Sequence, residues 1–211
     1  MENNSKSIED LRTIRKIMEE STRFLSLSGL SGIFAGAIAI SGALIGWFLI
    51  LNNGAVNIDK QGVSLSGQEI QPVRWKLIAD ALCVLILSIL CSLYFSVRKA
   101  KREGKELWSP TSKRLLVNLM IPLVTGAVFT VVLLIHNYID LIVPELLIFY
   151  GLALVNAGKF TYGEIFYLGI LEIITGLASS FFPGQGLVFW IIGFGILHII
   201  YGLAMYRKYE A

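Results

Sequence analysis

Glu172 and His198 are the two side chains whose types and positions fit proton chemistry inside an apolar segment. A charged side chain at the centre of a membrane costs at least about 2.5 to 3.5 kcal/mol, so each needs a partner. A carboxylate and an imidazole in contact can share a proton. The pair predicts a proton relay or a polar site for a transported solute. The alternative, which stays open, is a buried pair that fixes helix register and contributes about 0.6 to 2 kcal/mol.

Hairpin geometry predicts that these two side chains meet. Glu172 lies in the apolar stretch 162–182 and His198 in 187–206, and the residues FPGQG join the two. Residues equidistant from the tip of a helical hairpin lie at equal depth, and the midpoint between positions 172 and 198 is Gln185, within that tip. Glu172 also lies about 12 Å of helix beyond Glu164. The pair is therefore expected near the middle of the membrane.

Glu164 opens the stretch GEIFYLGILEIITG and has a plainer explanation. Thr161 precedes it by three residues, which fits the capping box T-x-x-E. In that motif the glutamate accepts a hydrogen bond from the backbone amide of the capping residue. We therefore predict that Glu164 caps a helix at the mouth of its span.

Three further polar residues are secondary candidates. Asp80 lies about one turn inside the outer end of the second apolar stretch. Glu145 follows Pro144 in the first turn of the fourth, where the positive end of the helix dipole favours a carboxylate. A cap or an interfacial position is the favoured interpretation for both. Asn156, also in the fourth stretch, is a further polar group at membrane depth.

Motifs of enzymatic chemistry are absent from the sequence, which contains no G-x-x-x-x-G-K-[ST], H-E-x-x-H, C-x-x-C or G-x-S-x-G. The two histidines are far apart, so a metal site would need carboxylates from several helices. We therefore expect a non-enzymatic protein with no catalytic residues, no metal and no cofactor. The basic residues flank the apolar stretches instead of forming a stripe with interleaved aromatic residues, so nucleic acid is not an expected partner.

Composition and the lengths of the apolar runs predict an all-α membrane protein. Hydrophobic residues make up 55% of the chain and charged residues 16%, against about 45 to 50% and 25% in soluble domains. Six runs reach the roughly 17 to 25 residues that cross a bilayer as a helix. They are 24–51, 77–97, 115–135, 141–157, 162–182 and 187–206. The predicted fold is one bundle of six transmembrane helices, within 25–208, in a lipid bilayer.

Two soluble segments accompany this bundle. Residues 1–24 carry an apolar stripe at helical spacing and predict an amphipathic helix at the cytoplasmic interface, or an extension of the first span. The loop 52–74 has Asn-Gly and Ser-Gly pairs, which indicate a β-hairpin or an irregular cap. Fifteen of the eighteen basic residues lie at the termini or in the alternate loops on their side. The positive-inside rule then places both termini in the cytoplasm.

Small residues in the first run predict close helix packing. Gly32 and Gly36, and again Gly42 and Gly46, have the small-xxx-small spacing that lets two backbones approach in lipid. The partner is either a second copy or another membrane protein, or it is another helix of the same chain. Packing against another helix of the same chain is favoured, because five other spans are present.

The stretches IRKIMEESTRFLSLSGLSGIFAG and FWIIGFGILHIIYGLAMYRKY resemble a family of uncharacterised bacterial inner-membrane proteins. The resemblance implies a multi-pass protein of the inner membrane and carries no activity. The leading hypothesis is a regulatory, sensor or accessory membrane protein, because catalytic motifs are absent and the soluble parts are small. The alternative is a small proton-coupled or small-solute transporter that uses Glu172 and His198.

Overall fold

The computed structural model describes residues 27–51, 56–59, 62–65, 70–104 and 108–210. Within these ranges, six helices are long and apolar enough to cross a membrane. Numbered spans 1 to 6, they are Gly29–Phe48, Arg74–Arg102, Pro110–Ile135, Ile139–Phe160, Gly163–Ser180 and Gly186–Tyr209. The prediction of six apolar helices is therefore confirmed. The amphipathic helix predicted within 1–24 lies outside the described residues.

Some spans contain more than one type of helix. Spans 1 to 3 contain α1 (Gly29–Ile45), extended by a π-helix over Gly46–Leu51, then α2 (Ile70–Arg102) and α3 (Pro110–Ile135). Span 4 contains α4 (Ile142–Ala157) between two short 3₁₀ turns, and span 5 is α5 (Gly163–Ser180). Span 6 contains α6 (Gly186–Trp190), a π-helical segment (Ile191–Leu197) and α7 (His198–Tyr209).

A β-hairpin lies between spans 1 and 2. Strand β1 (Val56–Asp59) pairs antiparallel with β2 (Gly62–Leu65), with Val56 opposite Leu65. This hairpin is one of the two alternatives predicted for the loop 52–74. It defines the hairpin side of the bundle, and the opposite end, which carries Ser28 and Glu210, is the terminal side.

The spans form two groups of three. In the first group, span 1 packs against spans 2 and 6; in the second, span 4 packs against spans 3 and 5. The groups meet mainly where span 6 lies against spans 4 and 5. Spans 2 and 3 share no extended interface, although Arg74 links them at the hairpin side by donating to the Leu134 carbonyl at 2.9 Å and to Asn137 at 2.8 Å.

Glycine brings the helices of each group into backbone contact. A Cβ added to Gly202 in α7 would lie 2.5 Å from the Ile33 amide nitrogen and 2.6 Å from the Gly29 carbonyl oxygen in α1. In the other group, a Cβ added to Gly151 in α4 would lie 2.6 Å from the Gly169 carbonyl oxygen in α5. Close backbone approach of this kind is how small residues hold helices together in lipid.

The four glycines predicted to face a partner lie against helices of the same chain. Gly32 and Gly36 face span 6, where an added Cβ would lie 3.0 Å from the Gly202 Cα and 2.5 Å from the Gly195 carbonyl oxygen, respectively. Gly42 faces Val84 in α2, and Gly46 is near Asp80 in the same helix. The intrachain alternative accounts for all four, and a dimer or partner through them stays a prediction.

Spans 2 and 3 present mostly apolar side chains on their outer surfaces. Only 6% of the most apolar window of span 2 is buried, against 39% for span 1. Exposed residues of span 2 include Leu82, Leu85, Ile86, Ile89, Leu90 and Leu93. Apolar surface on this scale fits a lipid environment, as expected of a multi-pass membrane protein.

Candidate functional site

Glu172 and His198 meet inside the bundle, as the hairpin geometry predicts. Glu172 lies midway along α5, and His198 is the first residue of α7. The imidazole Nδ1 lies 3.3 Å from Glu172 Oε1. Glu172 is 0% exposed and His198 7% exposed. Both members of the pair are therefore shielded at membrane depth, and the contact joins the two groups of spans.

Tyr150 of α4 is a third member of the site, which sequence reasoning missed. Its hydroxyl lies 2.8 Å from His198 Nε2, and its ring stacks on the imidazole with centroids 5.4 Å apart. The ring of Phe194 lies next to both, and Trp190 packs against Phe194 with centroids 4.7 Å apart. The site therefore draws side chains from spans 4, 5 and 6, with an aromatic cluster (Tyr150, Trp190, Phe194) at its edge.

The contacts of the imidazole assign one of its protons. Nδ1 lies 3.1 Å from the carbonyl oxygen of Gly193, which can only accept a hydrogen bond. Nδ1 therefore carries a proton and donates it to Gly193. Nε2 then either accepts from the Tyr150 hydroxyl in the neutral imidazole, or donates to it in the imidazolium. The ring can take up or release a proton without losing either partner.

The carboxylate of Glu172 lacks hydrogen-bond donors. Neither of its oxygens has a hydrogen-bond partner among the described residues. Its 3.3 Å contact with His198 is electrostatic, because the Nδ1 proton points to the Gly193 carbonyl. The buried carboxylate therefore has the imidazole 3.3 Å away as its charged contact and retains unused hydrogen-bond acceptor capacity.

The π-helical segment before His198 shapes the site. In a π-helix the backbone hydrogen bonds join residues five positions apart. This wider turn places Gly193 under His198 on one face of the helix. Gly193 also allows a close approach, because an added Cβ would lie 2.7 Å from Glu172 Oε2 and would collide with Leu147. π-helical turns occur frequently at functional sites. The lone sequence signal for this geometry is the glycine spacing in IIGFGIL.

A polar cluster that the sequence did not predict closes the terminal side. Lys99 of α2 donates to the Leu27 carbonyl at 2.8 Å and pairs with Glu210 at 3.3 Å. The Glu210 carboxylate accepts from the Gly29 amide at 2.6 Å and from the Ser28 hydroxyl at 3.0 Å. Glu210 therefore caps the amino terminus of α1 and ties α1, α2 and α7 together.

Tyr162 extends this terminal cluster toward the second group. Its hydroxyl lies 3.5 Å from Lys99 Nζ, and its ring packs against Tyr209 with centroids 4.4 Å apart. Burial raises the pKa of Tyr162, and the nearby carboxylates of Glu103 and Glu210 raise it further. The hydroxyl therefore keeps its proton at physiological pH.

The capping-box prediction for Glu164 is wrong. α5 begins at Gly163 with Tyr162 as its N-cap, one residue later than the T-x-x-E pattern requires, and no side-chain cap hydrogen bond forms. The Glu164 carboxylate instead accepts from Lys208 Nζ at 2.5 Å and from the Tyr209 hydroxyl at 3.1 Å. It links the two groups of spans at the terminal side, although it remains near the mouth of the span, as predicted.

Glu145 is buried within the bundle and contacts another helix. It lies in the first turn of α4, as predicted, but it is only 5% exposed. Its Oε2 accepts a hydrogen bond of 2.7 Å from Thr130 of α3, and Oε1 has no partner among the described residues. Leu147 faces Gly193 in the central site, and Glu145 lies on the opposite side of α4, toward α3. The Glu145 carboxylate is therefore directed away from the Glu172 site.

Asp80 and Asn156 lie outside the central site. Asp80 is partly buried in span 2 and faces α1, where its Oδ2 would lie 3.6 Å from a Cβ added to Gly42. Asn156 is partly buried near the end of α4. Within the described ranges, no three His, Cys, Asp or Glu side chains come together as metal ligands.

Comparison with known proteins gives no assignment: no protein-family model, no curated protein and no solved structure matches this chain. The resemblance noted from the sequence therefore rests on its two stretches alone, and the functional argument rests on the geometry of the central site.

Proposed function

We propose that the protein is a small proton-coupled transporter of the bacterial inner membrane, with Glu172 and His198 as its proton site. The observation that carries this proposal is a fully buried carboxylate, 3.3 Å from an imidazole and without a hydrogen-bond partner among the described residues. Ionisable residues at this depth are typical of proton relays and transport sites.

The position of the pair gives proton binding a mechanical consequence. Glu172 belongs to one group of spans and His198 to the other, so the charge of the pair acts at the boundary between them. The site holds either a neutral carboxyl beside a neutral imidazole, or a carboxylate beside an imidazolium whose second proton is on Nε2, toward Tyr150. Loss of the proton from either form leaves a buried anion, which favours hydration or opening of the boundary. Proton exchange can thereby drive alternating access.

The orientation belongs to the same proposal. Both termini and the basic segment 98–114 face the cytoplasm, supported by the excess of lysine and arginine on that side. The terminal cluster is then at the cytoplasmic end of the site. Reporter fusions within 98–114 test this orientation, and an external location would contradict it.

Solute-dependent proton flux in proteoliposomes tests the function. Small cationic, anionic and neutral solutes are added separately, and a trapped pH dye reports proton movement. We expect flux with one solute class in the wild type and its loss in Glu172→Gln. Glu145→Gln is the matched control, because it removes a buried carboxylate that belongs to another contact. Loss of flux in both variants, or flux retained in Glu172→Gln, contradicts the proposal.

A second candidate is a regulatory, sensor or accessory subunit. The observation that favours it is the largely uncovered surface of span 2, of whose most apolar window only 6% is buried. A membrane partner can pack there without disturbing the central site. Two results together support this candidate. The first is the absence of flux with every solute. The second is a partner that is retained in a mild-detergent pull-down and is lost when Leu85 and Ile89 are changed to alanine.

A further inference from the structure

The central site has the chemistry of a receptor for a small organic cation. We propose that the transported solute is a small ammonium or guanidinium ion, which exchanges with the proton at Glu172. This inference rests on the proposed transport function and adds the chemical class of the solute. It is carried by three features of the site: its charge, its unused hydrogen-bond acceptors and its aromatic edge.

The charge of the site disfavours anions when Glu172 is ionised. The segments 115–158 and 160–206 contain no lysine or arginine, so the interior of spans 3 to 6 carries no permanent cation. Glu172 is fully buried there with His198 as its nearest ionisable partner. An anionic solute would meet like charge in a low-dielectric interior, whereas a cation neutralises the carboxylate.

The free oxygens of Glu172 favour a cation that carries N–H groups. Both oxygens lack a hydrogen-bond partner among the described residues, and each can accept more than one hydrogen bond. A planar guanidinium matches a carboxylate with two parallel N–H···O bonds, and an ammonium donates up to three. A quaternary ammonium has the same charge but supplies no donors, so it leaves these acceptors unsatisfied.

The aromatic cluster lies against the imidazole whose Nδ1 faces Glu172. Tyr150 stacks on His198, and Phe194 lies against both Tyr150 and Trp190. Aromatic faces attract ammonium and guanidinium ions within about 6 Å of the ring centroid. Gly193 fills the side of Glu172 Oε2 that it faces, where an added Cβ would lie 2.7 Å from that oxygen, so a solute would reach the carboxylate from another side.

Exchange with a proton follows from the single carboxylate. One buried carboxylate is neutralised either by a proton or by one monovalent cation, and binding both leaves an uncompensated positive charge. The two ligands therefore compete, and each displaces the other. Competition for one site is the thermodynamic basis of antiport, in which the proton gradient drives the cation the opposite way.

Proton release on ligand addition tests the competition directly. Purified protein in weakly buffered detergent solution receives guanidinium, tetramethylammonium or acetate, and a pH dye reports release. We expect guanidinium to release a proton from the wild type and from Glu145→Gln but not from Glu172→Gln. Tetramethylammonium and acetate should release none. The proposal is overturned if acetate releases a proton, or if guanidinium releases as much proton from Glu172→Gln as from the wild type.

Radiolabelled guanidinium uptake separates this proposal from the transport function itself. Uptake into proteoliposomes with an acidic interior should exceed that at equal pH by at least about tenfold, and Glu172→Gln should abolish the difference. Proton-coupled flux of an anionic or neutral solute, without guanidinium uptake, overturns the cation class and leaves transport standing. Absence of coupled flux with all three solute classes overturns both. Size-exclusion profiles of both variants check that they fold.

Discussion

At the scale of single residues, His198 is held through both nitrogens of its ring. Gly193 accepts from Nδ1 at 3.1 Å, and the Tyr150 hydroxyl lies 2.8 Å from Nε2. These two contacts hold the ring in its orientation, with Nδ1 3.3 Å from Glu172. Second contacts of this kind fix the tautomer of a histidine and so decide where its proton lies.

Substitution Tyr150→Phe tests this arrangement. The phenylalanine keeps the stacked ring but removes the hydroxyl, so Nε2 loses its partner. We expect a loss of stability of about 0.6 to 2 kcal/mol, the usual value of a polar contact between membrane helices. Thermal unfolding in detergent measures the loss, and the ¹⁵N NMR signal of His198 Nε2 should move. Tyr167→Phe, on a side chain that is 69% exposed, is the control and should change neither.

The hairpin rule predicted the meeting of Glu172 with His198, because the depth of a residue follows from its distance to the tip. Tyr150 could not be found this way, since its contact depends on how span 4 packs against the hairpin. The error at Glu164 and the unpredicted partner of Glu145 have a related cause. Local motifs assign a carboxylate to its own helix end, whereas Lys208 and Thr130 reach these carboxylates from other helices.

At the scale of elements, glycine contacts decide which helices become partners. α1 and α7 meet through Gly29, Gly32 and Gly202, and α4 and α5 meet through Gly151 and Gly169. The sequence predicted the six spans from their apolar length and predicted small-residue packing in the first. It did not reveal that α7 is the helix packed against α1. Small-residue spacing identifies the packing surface of one helix but not the helix that packs against it.

Gly202→Ala should weaken the contact between α1 and α7. The added methyl group would lie 2.5 Å from the Ile33 amide nitrogen and 2.6 Å from the Gly29 carbonyl, so the backbones must separate. Overpacking of this kind costs about 1 to 3 kcal/mol, visible as a lower midpoint of thermal unfolding. The control is Gly163→Ala, whose added methyl group meets no described residue within 4 Å. Equal midpoints for the two variants would contradict this account of the packing.

At the scale of the whole molecule, polar contacts join the two groups of spans at three depths. Arg74 contacts Leu134 and Asn137 at the hairpin side, and His198 contacts Glu172 in the middle. Lys208 contacts Glu164 at the terminal side. The contacts at the two ends close the bundle above and below the central site. In the proposed transport cycle, the groups would separate at one end while the contact at the other end holds.

The Glu164–Lys208 contact should act as the terminal latch. Its side chains are 25% and 62% exposed, so solvent screens the contact and keeps it weak. We expect Glu164→Gln to raise the open population by up to about fivefold. Double electron–electron resonance in nanodiscs measures the distance between spin labels attached at Lys101 and Lys159, one in each group. Cys83 and Cys91 are first replaced by alanine so that they are not labelled. Arg207→Gln is the control; identical distance distributions in all three proteins would show that the groups move as one body.

The π-helical segment Ile191–Leu197 also sets the rotational phase of span 6. An α-helix advances about 100° per residue, so five residues bring a side chain 140° away from its starting direction. The wider turn brings Gly193 and His198 back to one face, toward Glu172. A helical wheel drawn for a regular α-helix therefore assigns the wrong directions to side chains across this segment. The loss of a single residue there would allow a regular α-helix, in which the glycine and the histidine would be four residues apart and still within about 40° of one another.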